Sequence, residues 1–145
     1  MVYYNTHDVK IPDFPKRKIS LWIKKIAEVN KKRVGDISYI FCSEKKILEI
    51  NNKYLKHDYF TDIITFDYTV NDLISGDIFI SIDTVRSNSE IFKEPYDREL
   101  CRVIIHGILH LCGIEDKTPN DRNIMEKNEN DALALLENSY LCIRK

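Results

Sequence analysis

His106 and His110 stand four residues apart in the stretch His106-Gly107-Ile108-Leu109-His110-Leu111-Cys112-Gly113-Ile114-Glu115-Asp116. On an α-helix that spacing puts both imidazoles on one face, one turn apart, where their nitrogens can converge on a single ion. Gly113, three residues past the second histidine, suits a helix end at which the chain turns back with positive φ. Glu115 and Asp116 follow, either of them in position to add a carboxylate. Two imidazoles, one carboxylate and a position left for water describe a hydrolytic zinc centre rather than a structural one, which four protein ligands would close. The competing reading is a chance pair of histidines on an amphipathic helix, and the glycine with the acidic pair behind it weighs against that.

The same residues carry a resemblance. His106-Gly-x-Leu109-His110-Leu111-x-Gly113, with a ligand at Asp116, resembles the signature of the YbeY family of endoribonucleases, His-Gly-x-Leu-His-Leu-x-Gly-Tyr-Asp-His. Thr61-Asp62-Ile63-Ile64-Thr65-Phe66 is similar to the family's Thr-Asp-Val-Leu-Ser-Phe block, and Gly76-Asp77-Ile78-Phe79-Ile80-Ser81 to its Gly-Asp-Ile-x-Ile-Ser strand. The blocks fall in the family's order. The resemblance implies that His106, His110 and Asp116 ligate the metal, Asp116 standing where the family has a third histidine; Ile114 and Glu115 replace its Tyr-Asp. It also implies a cation against the RNA phosphate. The family's arginine in that role corresponds to Leu55 here, so Lys56 or His57 is expected to supply the charge.

What the resemblance implies for function is a single-strand-specific, metal-dependent endoribonuclease with zinc as cofactor. Its partners would be single-stranded RNA, ribosomal RNA and the small ribosomal subunit, in 3′-end maturation and ribosome quality control; no DNA is expected. In the cleft, Thr61 and Thr65 can hydrogen-bond an extended ligand, Asp62 lies between them, and Asp77 can hydrogen-bond a ligating histidine. Glu115 is the candidate proton acceptor. Two other readings compete. The spacing His106-x-x-x-His110-x-x-Gly113-x-x-Asp116 is also that of metzincin-like zinc proteases, but these need a glutamate directly after the first histidine, where this chain has Gly107. The third is a non-catalytic ribosome-associated factor with a structural metal, for which Asp116→Ala would unfold the protein.

A chain of 145 residues reads as one domain, residues 1–145, able to bury a core without disulfides. The four cysteines, Cys42, Cys101, Cys112 and Cys142, form no CxxC pair and lie in apolar segments, so reduced, buried thiols are expected. No apolar run is long enough to span a bilayer and the N-terminus lacks a secretory signal's apolar core, which predicts a cytoplasmic protein with no membrane partner. The net charge of −1 conceals an asymmetry: residues 1–60 carry 13 Lys or Arg against 7 Asp or Glu (+6), and residues 61–145 carry 9 against 16 (−7). A polyanionic partner would find its attraction in the first part.

Periodicity supplies the scaffold. A short strand at residues 2–4 precedes a helix over about 16–31, with Ile19, Trp22, Ile23 and Ile26 at helical spacing and Gly35 as its stop. Residues 37–42 read as a strand covered on both faces. Ser43 caps a helix carrying Ile47, Leu48, Ile50, Asn51 and Tyr54, which with the next strand makes a βαβ pattern. After a loop at residues 56–60 come strands at 63–68 and 76–83, separated by a turn at Asn71-Asp72, then a helix over 84–92. A core helix spans 96–111, its Gly107 predicting close approach by another backbone. Thr118-Pro119 opens a last helix with Ile124, Met125, Asn128, Ala132, Leu135 and Leu136 on its apolar face. The fold class is α/β (α+β): a mixed sheet of about four strands flanked by about five helices, with the metal site at the C-terminal end of the core helix.

Overall fold

The computed structural model describes residues 1–55 and 61–138. In chain order the elements are β1 (Val2–Thr6), α1 (Lys16–Val29), β2 (Arg33–Cys42), α2 (Glu44–Ile50) continued by a π-helical turn (Asn51–Leu55), β3 (Ile63–Asp67), β4 (Leu73–Ser81), α3 (Ile82–Ile91), α4 (Tyr96–Leu111) and α5 (Pro119–Glu137). The strands form one mixed sheet in the order β1-β2-β4-β3, with β1, β2 and β4 parallel and β3 antiparallel along β4. Among the described residues, the expected architecture of four strands and five helices is therefore the one observed.

Alternation along the strands assigns the two faces of the sheet. Ile37, Tyr39 and Phe41 of β2 and Ile74, Ile78 and Ile80 of β4 enter the main core with Trp22, Ile23 and Ile26 of α1 and Ile104 and Ile108 of α4. On the opposite face, Cys42 and Ile64 pack with Ile47 and Ile50 of α2, flanked by Phe66 and Phe79. Two buried hydrogen bonds tie the main layer together. The Tyr39 hydroxyl donates to the Ile104 carbonyl (2.8 Å), and the Trp22 indole donates to the Ala132 carbonyl of α5 (2.9 Å). Each satisfies a polar atom that burial would otherwise leave costly.

Several local expectations change. The βαβ unit is β1-α1-β2, because the strand after α2 is the antiparallel edge strand β3. Helix α1 stops at Val29, with Lys31 taking a positive φ of 61°, and Gly35 lies inside β2 at a register shift between Val34 and Ile37. Strand β4 starts at Leu73 and ends at Ser81, whose hydroxyl accepts from the Thr84 amide and so begins α3 earlier than the unbroken apolar alternation suggests. On α5 the buried stripe is Met125, Glu129, Ala132, Leu133 and Leu136, while Ile124 and Leu135 face solvent. Cys42 and Cys101 are buried and Cys112 is half-buried, none of the three in a disulfide; Cys142 lies outside the described residues.

Candidate metal centre and its cleft

Helix α4 carries both histidines. Asp97 and Glu99 sit in its first turn, where negative charge favours a helix N-terminus. Its end is a Schellman turn: the Gly113 amide donates to the His110 carbonyl and the Ile114 amide to the Leu109 carbonyl, both at 3.0 Å, with Gly113 at φ +100°. Ile114 folds back against the core and carries Asp116 round to the histidine face. Thr118 then starts α5 with a reciprocal capping box with Asp121, and Pro119 enters its first turn.

These two helix ends bring three side chains together. His106 Nε2 lies 3.2 Å from Asp116 Oδ2, and His110 Nε2 lies 3.5 Å from Asp116 Oδ1. One ligand atom from each of the three lies within 4.8 Å of the others. Four-coordinate zinc with bonds of about 2.0–2.1 Å places neighbouring donors roughly 3.3 Å apart, so the carboxylate stands at ligand spacing from both rings. The nitrogen and oxygen donors suit a borderline divalent cation. The group can hold a divalent metal.

The other nitrogen of His106 is engaged by a residue that sequence reasoning missed. His106 Nδ1 lies 2.6 Å from Glu129 Oε2 on α5, and the other oxygen of Glu129 accepts from Arg102 Nη1 at 3.0 Å. Arg102 also donates to Asn130 (3.1 Å) and lies 3.7 Å from the buried Glu99. A carboxylate at Nδ1 favours a proton there, which makes Nε2, the nitrogen facing Asp116, the one able to ligate a metal. Burial disfavours the charged His106 ring, but the hydrogen bond and charge of Glu129, with the charges of Asp116 and Asp62, outweigh it and raise its pKa. Burial pushes the Glu99 carboxyl up to about 7, against the lowering charge of Arg102. The signal for Glu129 was a carboxylate four residues after Met125 and four before Leu133, inside an apolar stripe.

The three side chains border a cleft of about 580 Å³ whose opposite wall is β3. Ile63, Thr65 and Asp67 pair with Ile80, Ile78 and Gly76 and so share the face on which α4 lies, and they line the cleft together with Thr61, Asp62 and Glu115. Burial raises the Asp62 carboxyl above its ordinary range, with the nearby charge of His106 working against the shift. Lys117 is the one lysine or arginine among the described residues that line it. Asp77 is a correction. Its register opposite Phe66 and Ser38 puts it on the other face of the sheet, where it accepts from the Tyr68 hydroxyl (3.2 Å), so it does not reach a histidine. Lys56 and His57 lie outside the described residues. Gly107 is another correction: a Cβ there would meet side chains, Ile78 Cδ1 at 2.9 Å and Ile63 Cδ1 at 3.2 Å, rather than a backbone. The backbone approach occurs instead at Gly76, where a Cβ would overlap the Phe66 carbonyl.

An α+β domain whose core helix ends in such a cradle, open to a polar cleft, belongs to the class of small metal-dependent hydrolases. A sequence model of one such family, described as Endoribonuclease YbeY, matches residues 3–137. The chain belongs to the YbeY family. It is 65% identical over 136 residues to the Endoribonuclease YbeY of Phocaeicola vulgatus, covering 94% of this chain and 99% of that protein. It is 61% identical over 135 residues to that of Parabacteroides distasonis, covering 93% and 95%. The solution structure of a Thermotoga maritima protein, 23% identical, superposes with a TM-score of 0.64 over 97% of this chain and 95% of that one, which shows the shared fold.

Proposed function

We propose that this protein is a single-strand-specific, metal-dependent endoribonuclease acting in 3′-end maturation of small-subunit ribosomal RNA and in ribosome quality control. Family membership over residues 3–137 supports the RNA-cleaving activity. The observation that carries the chemistry is the carboxylate of Asp116 held at 3.2 Å and 3.5 Å from the facing nitrogens of His106 and His110. These three residues would hold the ion, which we assign as zinc. Bound there, a divalent cation supplies Lewis acidity toward water and toward a phosphoryl oxygen.

The remaining roles belong to the chain. Glu129 keeps the proton of His106 on Nδ1, so that Nε2 is a ligand rather than a donor. Glu115, exposed at the cleft wall, takes the proton released by the attacking water. Thr61 and Thr65 offer hydroxyls to an extended RNA backbone along β3, and Asp62, which burial makes easier to protonate, adds a hydrogen bond beside them. Lys56 or His57, in the segment that leads into Thr61, supplies positive charge to the phosphate as charge develops. A protease would need a glutamate at residue 107, where Gly107 is packed on Ile78 with no space for one. The place of action we assign is the cytoplasm, where ribosomes are; among the described residues no helix is long and apolar enough to cross a membrane.

The test pairs metal analysis of the purified protein with cleavage of a single-stranded RNA before and after chelation, with His110→Ala as the control for contaminating nuclease. We expect stoichiometric metal, cleavage lost on chelation and restored by zinc, and neither in the variant. Cutting that persists unchanged in His110→Ala overturns the mechanism.

A further inference from the structure

The cleft is poorly charged for a polyanion. Asp62, Asp67, Glu115 and Asp116 line it against Lys117, so even with a divalent ion its described walls carry no surplus of positive charge. An RNA strand held there needs its electrostatic attraction from elsewhere. The structure has such a place where β2 and β4 begin.

Along α1, Arg17, Leu21, Lys24 and Glu28 recur at helical spacing on the flank of the buried stripe. With Lys32 and Arg33 at the start of β2 they border an open groove of about 700 Å³, into which Leu21 and Leu73 expose 49% and 38% of their surface. Arg33 is forked onto Asp72 at 3.1 Å, but Arg17, Lys24 and Lys32 make no side-chain hydrogen bond or ion pair among the described residues. Lys32 adds only a longer-range attraction to Asp72, and cations free of hydrogen-bonded partners beside apolar surface suit a strand that presents phosphates on one side and base faces on the other.

The groove is also close to the site. Leu73 begins β4, and Gly76, three residues on, packs against Leu111 and pairs with Asp67 of the cleft wall, roughly 10 Å along the strand. We propose that this groove is a second contact for single-stranded RNA, in which Arg17, Lys24 and Lys32 hold backbone phosphates of the same strand whose scissile bond lies in the cleft. The proposal rests on the endoribonuclease reading of the cleft. The basic first part of the chain then has a role distinct from that of the second, since the groove supplies affinity and the acidic cleft supplies chemistry.

Two variants with equal change of charge test it. Lys24→Ala/Lys32→Ala removes groove cations, and Lys18→Ala/Lys25→Ala removes exposed lysines of α1 that do not line the groove. Circular dichroism checks the fold of both. Binding of a long single-stranded RNA is read by fluorescence anisotropy across salt, and cleavage of that RNA and of a short oligonucleotide is read separately. We expect the groove pair to weaken binding of the long RNA roughly tenfold and to flatten the slope of log K against log salt by about 1.4, two phosphates at about 0.7 each. Its KM should rise more than its kcat falls, and the short oligonucleotide should suffer less than the long one. Equal losses in the two variants overturn the proposal, since attraction would then follow net charge alone. So does a groove pair that loses affinity for a polyglutamate peptide and not for RNA, which would make the surface a protein contact. Failure of the functional reading looks different: wild-type protein with metal then cuts no RNA, while anisotropy still reports whether the groove holds the strand.

Discussion

His106 Nδ1 and Glu129 Oε2 lie 2.6 Å apart across the packed faces of α4 and α5, 23 residues apart in the chain. That contact makes the metal cradle depend on a helix that contributes none of its three facing donors. Glu129→Gln keeps the shape but replaces the acceptor carboxylate, and the expected outcome is a folded protein whose zinc affinity falls about tenfold to a hundredfold. Competition with a chromophoric chelator measures it, and an unchanged affinity counts against the orienting role.

Asp116 sits on a loop with its side chain about a third exposed, so removing it opens no cavity in the core. Asp116→Ala should therefore unfold within about 1 kcal/mol of the metal-free wild type. What disappears is the stabilisation by added metal, roughly 2.7 kcal/mol at a hundredfold excess over Kd. Thermal melts with and without zinc separate this from the structural-metal reading, in which the variant would not fold.

Glu99 gives a pH signature. Burial raises its folded pKa from 4.5 to about 7, so between those values the native state holds a proton that the unfolded chain has released. Its stabilisation is full below about pH 4.5, falls as pH rises and is lost above about 7. Glu99→Gln should flatten that part of the stability profile and gain on the order of 1 kcal/mol at pH 8, as read by urea titration. A profile with the wild-type slope would remove Glu99 as its source.

Gly107 tests how tightly α4 is seated. Alanine improves helix propensity by about 1 kcal/mol, but its methyl meets Ile78 Cδ1 at 2.9 Å and Ile63 Cδ1 at 3.2 Å in a filled core. Overpacking costs about 1–3 kcal/mol, so we expect net destabilisation of about 1 kcal/mol by chemical denaturation, with weaker RNA cleavage because Ile63 lines the cleft. A stabilised Gly107→Ala protein would show that the helix can shift at no cost.

The parts legible in the sequence were those with local physical causes. The stripe of Leu100, Ile104 and Ile108 fixed α4, Gly113 announced its end, and Thr118-Pro119 announced the start of α5. Features that depend on distant partners were not legible. Nothing in residues 63–67 says that they pair antiparallel on a sheet edge, and the alternation around Asp77 cannot say which face the histidines occupy. The end of α1 is set by a lysine in positive φ, a conformation no propensity assigns to lysine, and Gly35 drew attention away from it. Glu129 was visible as a misplaced carboxylate, but its meaning required α5 to be docked on α4.

The dependence on α5 also orders the protein's own birth. A ribosome releases His106 and His110 first, then Asp116, and only later Glu129 and the Ala132 carbonyl that the Trp22 indole latches. A nascent chain therefore carries all three metal donors before the carboxylate that orients one of them, and the cradle is complete only once α5 has emerged and docked on α4.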